Sequence, residues 1–383
     1  LTFISHKINI VFVKTRYTFR FYPTQEQEQS LVKTFGCVRV VYNNALRARI
    51  DAWHNGEKVN YNQSSAALTL LKKEAEFMWL NEVSCVPLQQ SLRHLQVAFK
   101  NFFDKRSKHP TFKSKRSRQS AEYTCSAFKW DSGNRNLTIA KLGRLKVKWS
   151  RSFQSNPTTV TISKDCSGRY FVSLVLDEAV DLIPMTGKSI GIDVGINRLA
   201  TLSNGERIPN PRHTTKFANK LAKEQRRLAK KTKGSGRWNK QRLRVAKVHA
   251  KIADSRKDHL NKVTIDLVKR FDLICIEDLN VRGMVKNHRL AKHISDVSFG
   301  TFRAMLEYKA LWHGKEVVAI DRFFPSSKRC SACGFVASKM PLDVREWTCT
   351  NCGACHDRDE NAAHNIHAVG QTVKARGENV RLS

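Results

Sequence analysis

Four of the chain's ten cysteines fall in two Cys-x-x-Cys steps, Cys330/Cys333 and Cys349/Cys352, with fifteen residues between them. Paired thiolates at that spacing are the sequence mark of a zinc ribbon, in which two knuckles close a tetrahedron around one structural Zn²⁺. Gly334 and Gly353 follow the two pairs, where a knuckle must turn tightly. Four thiolates fill the coordination sphere, so the site is expected to hold structure and do no chemistry. Cys355 is a fifth sulfur whose spacing from Cys352 fits no regular knuckle. The other cysteines are scattered singly, which is the usage of a reduced, cytoplasmic compartment and not of a disulfide framework. Immediately after the ribbon comes an acidic and polar cluster, Asp357-Arg358-Asp359-Glu360-Asn361.

The chain as a whole is strongly basic. Sixty-eight Lys and Arg against 33 Asp and Glu give a net charge of +35. Such an imbalance repels itself unless a polyanion neutralises it, which points to nucleic acid. Two stretches concentrate the charge. Asp104–Arg118 holds seven Lys or Arg and one acid, with Lys105, Arg106, Lys113 and Lys115 as candidates for backbone phosphate contact. Lys216–Lys257 holds sixteen Lys or Arg against Glu224 and Asp254, with Arg226, Arg227, Lys230, Lys231, Arg242 and Arg244 as candidates. No stretch approaches 18 uncharged apolar residues, so no membrane partner is expected. Leu1 to Lys14 is mildly apolar but interrupted by Lys7, with no small-residue cleavage site; it is not expected to be a signal peptide.

Periodicity divides the chain in two. Arg16–Tyr22 alternates as a short strand, and Thr24 with Gln27 forms a capping-box pattern ahead of a helix from about Gln25. Leu88, Leu92, Leu95, Phe99 and Phe102 share one helical face, and a further helix is expected over Ser65–Glu76. The aromatic stripe reads as core, not as a base-stacking surface. Segments from Arg144, Thr159 and Arg169 alternate as strands with a turn at Asp165–Gly168, suggesting a small β-barrel or sheet. The pattern changes near Met185: strands at Lys188–Ile196, Arg198–Glu206, Phe271–Leu279 and Lys315–Phe323 alternate with helices, two of them a basic hairpin broken at Thr232–Arg237. That alternation is expected to give a mixed α/β layer.

Three carboxylates stand out. Asp193 lies inside the apolar strand Ile-Gly-Ile-Asp-Val-Gly, where an unpartnered charge is costly. Glu277 ends the apolar run Leu-Ile-Cys-Ile-Glu. Asp359, with Asp357 as alternative, opens a helix at Asp359–Ile366. Each alone has a structural explanation, a salt bridge or an N-cap. Together, acids on two strands and a following helix can converge at one sheet end and hold two Mg²⁺ or Mn²⁺ ions for phosphodiester hydrolysis. Thr186–Ser189 resembles part of a phosphate loop, but Leu182 stands where the first glycine is required.

The segments GIDVGINRLATLSNGE, ICIEDLNVRGM, YKALWHGKEVVAIDRFFPSSKRCSACG and CHDRDENAAHNI, with YTFRFYPTQEQ and PTFKSK upstream, resemble the TnpB, or OrfB, proteins of bacterial insertion sequences, relatives of type V CRISPR effectors. The resemblance implies an RNase H-like (RuvC) nuclease domain with an inserted zinc ribbon, preceded by a helical recognition part and a small β-barrel. In residue numbers it implies an extension at 1–15, a β-barrel wedge with a helix-turn-helix-like region at 16–186, nuclease segments at 187–324 and 356–372, the ribbon at 325–355 and a tail at 373–383. It implies Asp193, Glu277 and Asp359 as catalytic acids, with Arg358 beside substrate phosphate. The implied activity is RNA-guided cleavage of double-stranded DNA beside a short flanking motif, with a guide RNA from the transposon end, in a bacterial or archaeal cell at the nucleoid. A transposase that itself joins DNA ends, or a non-catalytic RNA-guided repressor, are the alternatives. His109, Cys355 and His364 depart from the family pattern without removing a proposed ligand.

Overall fold

The computed structural model describes residues 10–116, 118–341 and 343–377. These divide into two compact units, one at Phe12–Ala179 and one from Val180 onward. No helix among the described residues is long and apolar enough to cross a membrane.

In the first unit, strand β1 (Ile10–Phe21) leads into helix α1 (Gln25–His54). Thr24 and Gln27 cap that helix reciprocally, as their spacing predicts. Helices α2 (Tyr61–Leu71) and α3 (Cys85–Phe103) follow, separated by a 3-10 turn at Ala75–Glu82. The single helix expected over Ser65–Glu76 is therefore split, and α2 starts earlier, where Asn60 and Gln63 form a second capping box. Strands β2 (Gln119–Thr124), β3 (Phe128–Asp131), β4 (Asn136–Ile139), β5 (Gly143–Arg144), β6 (Val147–Lys148), β7 (Thr159–Lys164) and β8 (Tyr170–Asp181) complete the unit. They form a sheet of order β2-β7-β8-β1-β6 and a separate β3-β4-β5 sheet. Asp165 accepts from the backbone of Ser167 and Arg169, fixing the β7–β8 turn. Phe19, Phe21, Leu31, Leu88, Leu92, Ile162 and Leu174 share one core across helices and strands. Two boundaries move. Strand β1 begins at Ile10, inside the stretch read as an extension ending at 15, and β8 runs to Asp181, past the start of the second unit at Val180.

The face of α3 carrying the aromatic stripe is only partly core. Leu88, Leu92 and Leu95 are fully buried, whereas Phe99 and Phe102 are half-buried and the adjoining Phe103 is 61% exposed.

The second unit opens with an antiparallel hairpin, β9 (Ser189–Val194) and β10 (Arg198–Leu202), extended by β11 (Arg207–Pro209). Helices α4 (His213–Lys216), α5 (Ala218–Ala229) and α6 (Gly236–Arg270) precede β12 (Leu273–Glu277). Helices α7 (Val281–Met284), α8 (Ala291–Val297) and α9 (Phe299–Trp312) lead to β13 (Glu316–Ile320). Then come the short hairpin β14 (Glu346–Thr348) and β15 (Cys355–Asp357), and helix α10 (Arg358–Ala375). The sheet order is β11-β10-β9-β12-β13, with β12 parallel to both neighbours. Period-2 alternation gives the sheet two buried faces. Ile190, Ile192, Ile274 and Ile276 pack with Leu260 and Leu267 of α6 and with Phe302 and Leu306 of α9. Leu273, Cys275, Val318 and Ile320 pack with Ile366 of α10. The result is helix, sheet, helix in three layers.

The approach of α10 depends on two glycines. A Cβ at Gly191 would stand 2.1 Å from the Ala363 carbonyl oxygen, and one at Gly370 would stand 2.3 Å from the Cys275 sulfur. No side chain larger than hydrogen fits at either crossing.

Candidate active site and metal centre

The β9/β12 register aligns the first two acids. Ser189 to Ile192 pair with Leu273 to Ile276, so the next step places Asp193 level with Glu277 on adjacent parallel strands. Neighbouring strands lie about 4.8 Å apart, and residues in parallel register point to the same face. Alternation puts both acids on the side of Gly191 and Cys275, which is the side α10 covers.

The N-terminal end of α10 supplies the third acid. Asp357 is the N-cap: one of its oxygens accepts from Asp359 N and Glu360 N, both at 3.0 Å. Its other oxygen faces Arg207 at 3.0 Å and Arg198 at 4.0 Å. The capping role considered for Asp359 therefore belongs to Asp357. That leaves the Asp359 carboxylate free in the first turn, met by Arg345 at 3.5 Å.

Electrostatics tie the acids together. Burial pushes the Asp193 carboxyl well above the usual carboxylate range, and the negative charges of Glu277, Asp359 and Asp357 add to it, with Arg358 opposing. Burial raises Glu277 too, partly offset by a hydrogen bond from the Ser326 hydroxyl. Neighbouring Asp278 behaves oppositely. Burial would raise it, but ion pairs with Arg303 and Arg322 hold it below its ordinary value. Asp278 is thus neutralised by the protein, while Asp193 and Glu277 are left wanting a cation. Oxygen donors in such a cluster suit a hard divalent ion.

The four cysteines cluster as their spacing predicts. The four Sγ atoms all lie within 4.8 Å of one another, with Cys330–Cys352 and Cys333–Cys349 each at 3.7 Å. A tetrahedron with metal–sulfur bonds of about 2.3 Å has edges of about 3.8 Å, so the set fits a zinc-sized ion. Both knuckles have the same build. Gly334 N donates to Cys330 O and Gly353 N to Cys349 O, each at 2.9 Å, with both glycines at positive φ. Cys355 is outside the cluster, its sulfur 3.4 Å from the Thr348 hydroxyl. His356, which spacing alone did not single out, places Nε2 3.0 Å from Cys330 Sγ.

Three further residues, whose partners no local pattern names, link the two centres. Asn361 and Asn365, one turn apart on α10, donate to the Arg329 carbonyl at 2.7 and 2.6 Å. Asn365 also donates to Ser326 O at 2.9 Å, and Ser331 N donates to Asn361 Oδ1 at 2.9 Å. The segment entering the first knuckle is therefore clamped to the helix bearing Asp359, and its Ser326 hydroxyl holds Glu277. Polar residues at i and i+4 could have flagged a buried clamp, but nothing local names their partner.

Elsewhere, the Thr186–Ser189 loop is not an open phosphate cradle: Thr186 N and Gly187 N donate to the Asp272 carboxylate. Among the basic candidates, Lys105, Lys115, Arg226, Arg227, Lys230, Lys231, Arg242 and Arg244 are exposed. Arg106 is exposed but paired with Asp104. Lys113 is half-buried, with its ammonium 3.9 Å from the Tyr42 ring centroid. Helices α5 and α6 form the expected basic hairpin, although α6 continues well beyond it to Arg270.

Fold and site together define a layered α/β protein with a clustered carboxylate centre and an inserted four-cysteine centre. Residues 178–288 match the OrfB_IS605 family model, described as "Probable transposase". Residues 299–366 match the Cas12f1-like TNB domain model, and residues 13–58 a helix-turn-helix domain model. A Streptomyces pristinaespiralis protein named "Putative RNA-guided DNA endonuclease" is 53% identical, covering 96% of this chain and 92% of that protein. An Escherichia coli protein, "Putative RNA-guided DNA endonuclease InsQ", is 33% identical over 95% of this chain and 94% of its own length. A solved Cas12f1-sgRNA-target DNA complex has a chain with the same fold, with a TM-score of 0.58 at 12% identity, covering 93% of this chain and 99% of that one. The chain belongs to the TnpB/OrfB family.

Proposed function

We propose that the chain is a transposon-encoded, RNA-guided DNA endonuclease that hydrolyses phosphodiester bonds at an RNase H-like (RuvC) centre. The observation that carries the reading is the carboxylate cluster: Asp193 and Glu277 are level on adjacent strands, in no ion pair among the described residues, and the charge of Asp359 raises the Asp193 pKa. Asp193, Glu277 and Asp359 are the proposed ligands of two Mg²⁺ or Mn²⁺ ions, which when bound would activate a water and stabilise the leaving oxygen. Arg358, next to Asp359 in the chain, and Arg345, 3.5 Å from the Asp359 carboxylate, would contact substrate phosphate. Asp357 positions Asp359 by capping α10. One Zn²⁺ on Cys330, Cys333, Cys349 and Cys352 would hold the segment that the Asn361/Asn365 clamp ties to α10. The exposed cations of the α5/α6 hairpin and of the Lys105–Lys115 loop would follow phosphates, while guide pairing selects sequence. The partners are a guide RNA from the transposon end and duplex DNA with a short flanking motif, met at the nucleoid of a bacterial or archaeal cell.

The description of the matched family as a transposase favours a second reading, in which the same acids join DNA ends. One experiment separates the two. The protein is purified with RNA from its own locus and given supercoiled DNA carrying matched targets and randomised flanks. Guide-dependent cutting that disappears in Asp193→Ala supports the nuclease. Joined products support the transposase, and binding without cutting contradicts both.

A further inference from the structure

The C-terminal halves of α1 and α3 enclose a cavity of about 860 Å³. Its walls combine features that a core does not need. Trp53 and Phe103 are 60% and 61% exposed, with their ring centroids 6.3 Å apart. Arg49 is only 7% exposed, yet no ion pair with it is found among the described residues. Its Nε and Nη2 share the single Ser64 hydroxyl oxygen, and its guanidinium lies 5.4 Å from the Phe99 ring centroid. A buried guanidinium held by no ion pair among the described residues, at the edge of an open aromatic cavity, is arranged for a ligand with both a π face and acceptor oxygens. Lys58 and Lys100 add positive charge at the wall. Glu57 and Asp104 also lie there, and Asp104 is occupied by Arg106.

We propose that this cavity binds one unstacked nucleotide of the bound RNA, its base against Trp53 and Phe103 and its acceptor oxygens towards Arg49. The assignment rests on the RNA-guided reading above. Charge selects the occupant: a second copy of a chain carrying +35 repels this one, whereas a polyanion is attracted. Shape selects the form: a concave aromatic pocket takes a splayed base, which RNA loops and single strands supply and a base-paired duplex does not. The basic segment from Lys105 to Lys115 follows Asp104 of the pocket wall and meets the wall again at His109, so its exposed Lys105, Lys108 and Lys115 would take flanking phosphates.

The test uses full-length protein and the RNA of its own locus. Trp53→Ala and Phe103→Ala alter exposed side chains, so unfolding temperatures should stay at the wild-type value. Each should weaken RNA binding about tenfold, as loss of one base–aromatic stack does, and Trp53→Phe should recover most of it. RNA containing 4-thiouridine should crosslink to the peptide bearing Trp53 or Phe103. Single-stranded DNA containing 4-thiothymidine should not. Wild-type RNA affinity in the Trp53→Ala/Phe103→Ala double variant would overturn the proposal, as would crosslinks from DNA alone. Those results leave the nuclease reading intact, whereas wild-type protein that binds no RNA overturns both.

Discussion

Substituting Gly191 by alanine should separate the three proposed catalytic acids without touching any of them. The new Cβ would stand 2.1 Å from the Ala363 carbonyl oxygen and 2.6 Å from the His367 backbone nitrogen, where ordinary contact begins at 3.4 Å. Both obstacles are parts of α10, and neither is a flexible side chain. Relief therefore requires the helix to withdraw by about 1.3 Å, the difference between those two contact distances. Overpacking of this kind costs about 1–3 kcal/mol. For a unit of this size each kcal/mol lowers the unfolding temperature by about 2–4 °C. Because α10 carries Asp359, the same withdrawal should slow cleavage about a hundredfold, the usual consequence of misplacing a catalytic group by about 1 Å. Thermal unfolding and single-turnover cleavage of guided DNA measure the two effects. Gly300→Ala, where nothing lies within 4 Å of the new Cβ, is the control and should lose neither. Wild-type stability and rate in Gly191→Ala would refute the placement of α10 against β9.

Asp193→Asn should stabilise the metal-free protein. A carboxyl whose pKa is raised by folding favours the fold while protonated, and loses that contribution as pH rises from about 4 through its shifted value. The variant's advantage in unfolding temperature should therefore be absent at low pH and grow towards neutrality. Mg²⁺ should then stabilise wild type more than the variant. Ser326→Ala removes the hydrogen bond that lowers Glu277, so the acidic limb of the pH–rate profile should move to higher pH and half-maximal activation should need more Mg²⁺; Ser326→Thr should restore both. Cys330→Ser and Cys349→Ser should each abolish stoichiometric zinc, read by atomic emission, and reduce cleavage. Full cleavage without zinc would contradict the clamp through Asn361 and Asn365.

What the sequence revealed depended on how local each signal was. The capping box at Thr24, the apolar strands around Asp193 and Glu277 and the two cysteine knuckles are patterns of fewer than ten residues, and each forms where expected. Short strands with few alternations, β3 to β6, gave too little periodicity to delimit. The Ser65–Glu76 helix failed because its apolar pattern continues past the point where α2 stops at Leu71. Which of Asp357 and Asp359 caps α10 needed the cap geometry, since an Asp serves equally at either position near a helix start. Ser326, Asn361 and Asn365 act across more than 30 residues of chain, and their identity alone carries no trace of their partners. The aromatic face of α3 was legible as a face, but not that its last turn opens into a cavity.

Three carboxylates, from β9, β12 and α10, are proposed to share divalent ions. Crystals of the protein soaked in Mn²⁺ and measured at the manganese absorption edge test this sharing directly. The expected map has anomalous density at oxygen-ligand distance, about 2.2 Å, from Asp193, Glu277 and Asp359 together. Density bound by only one of them, or none at all with Asp359 turned away, would contradict it.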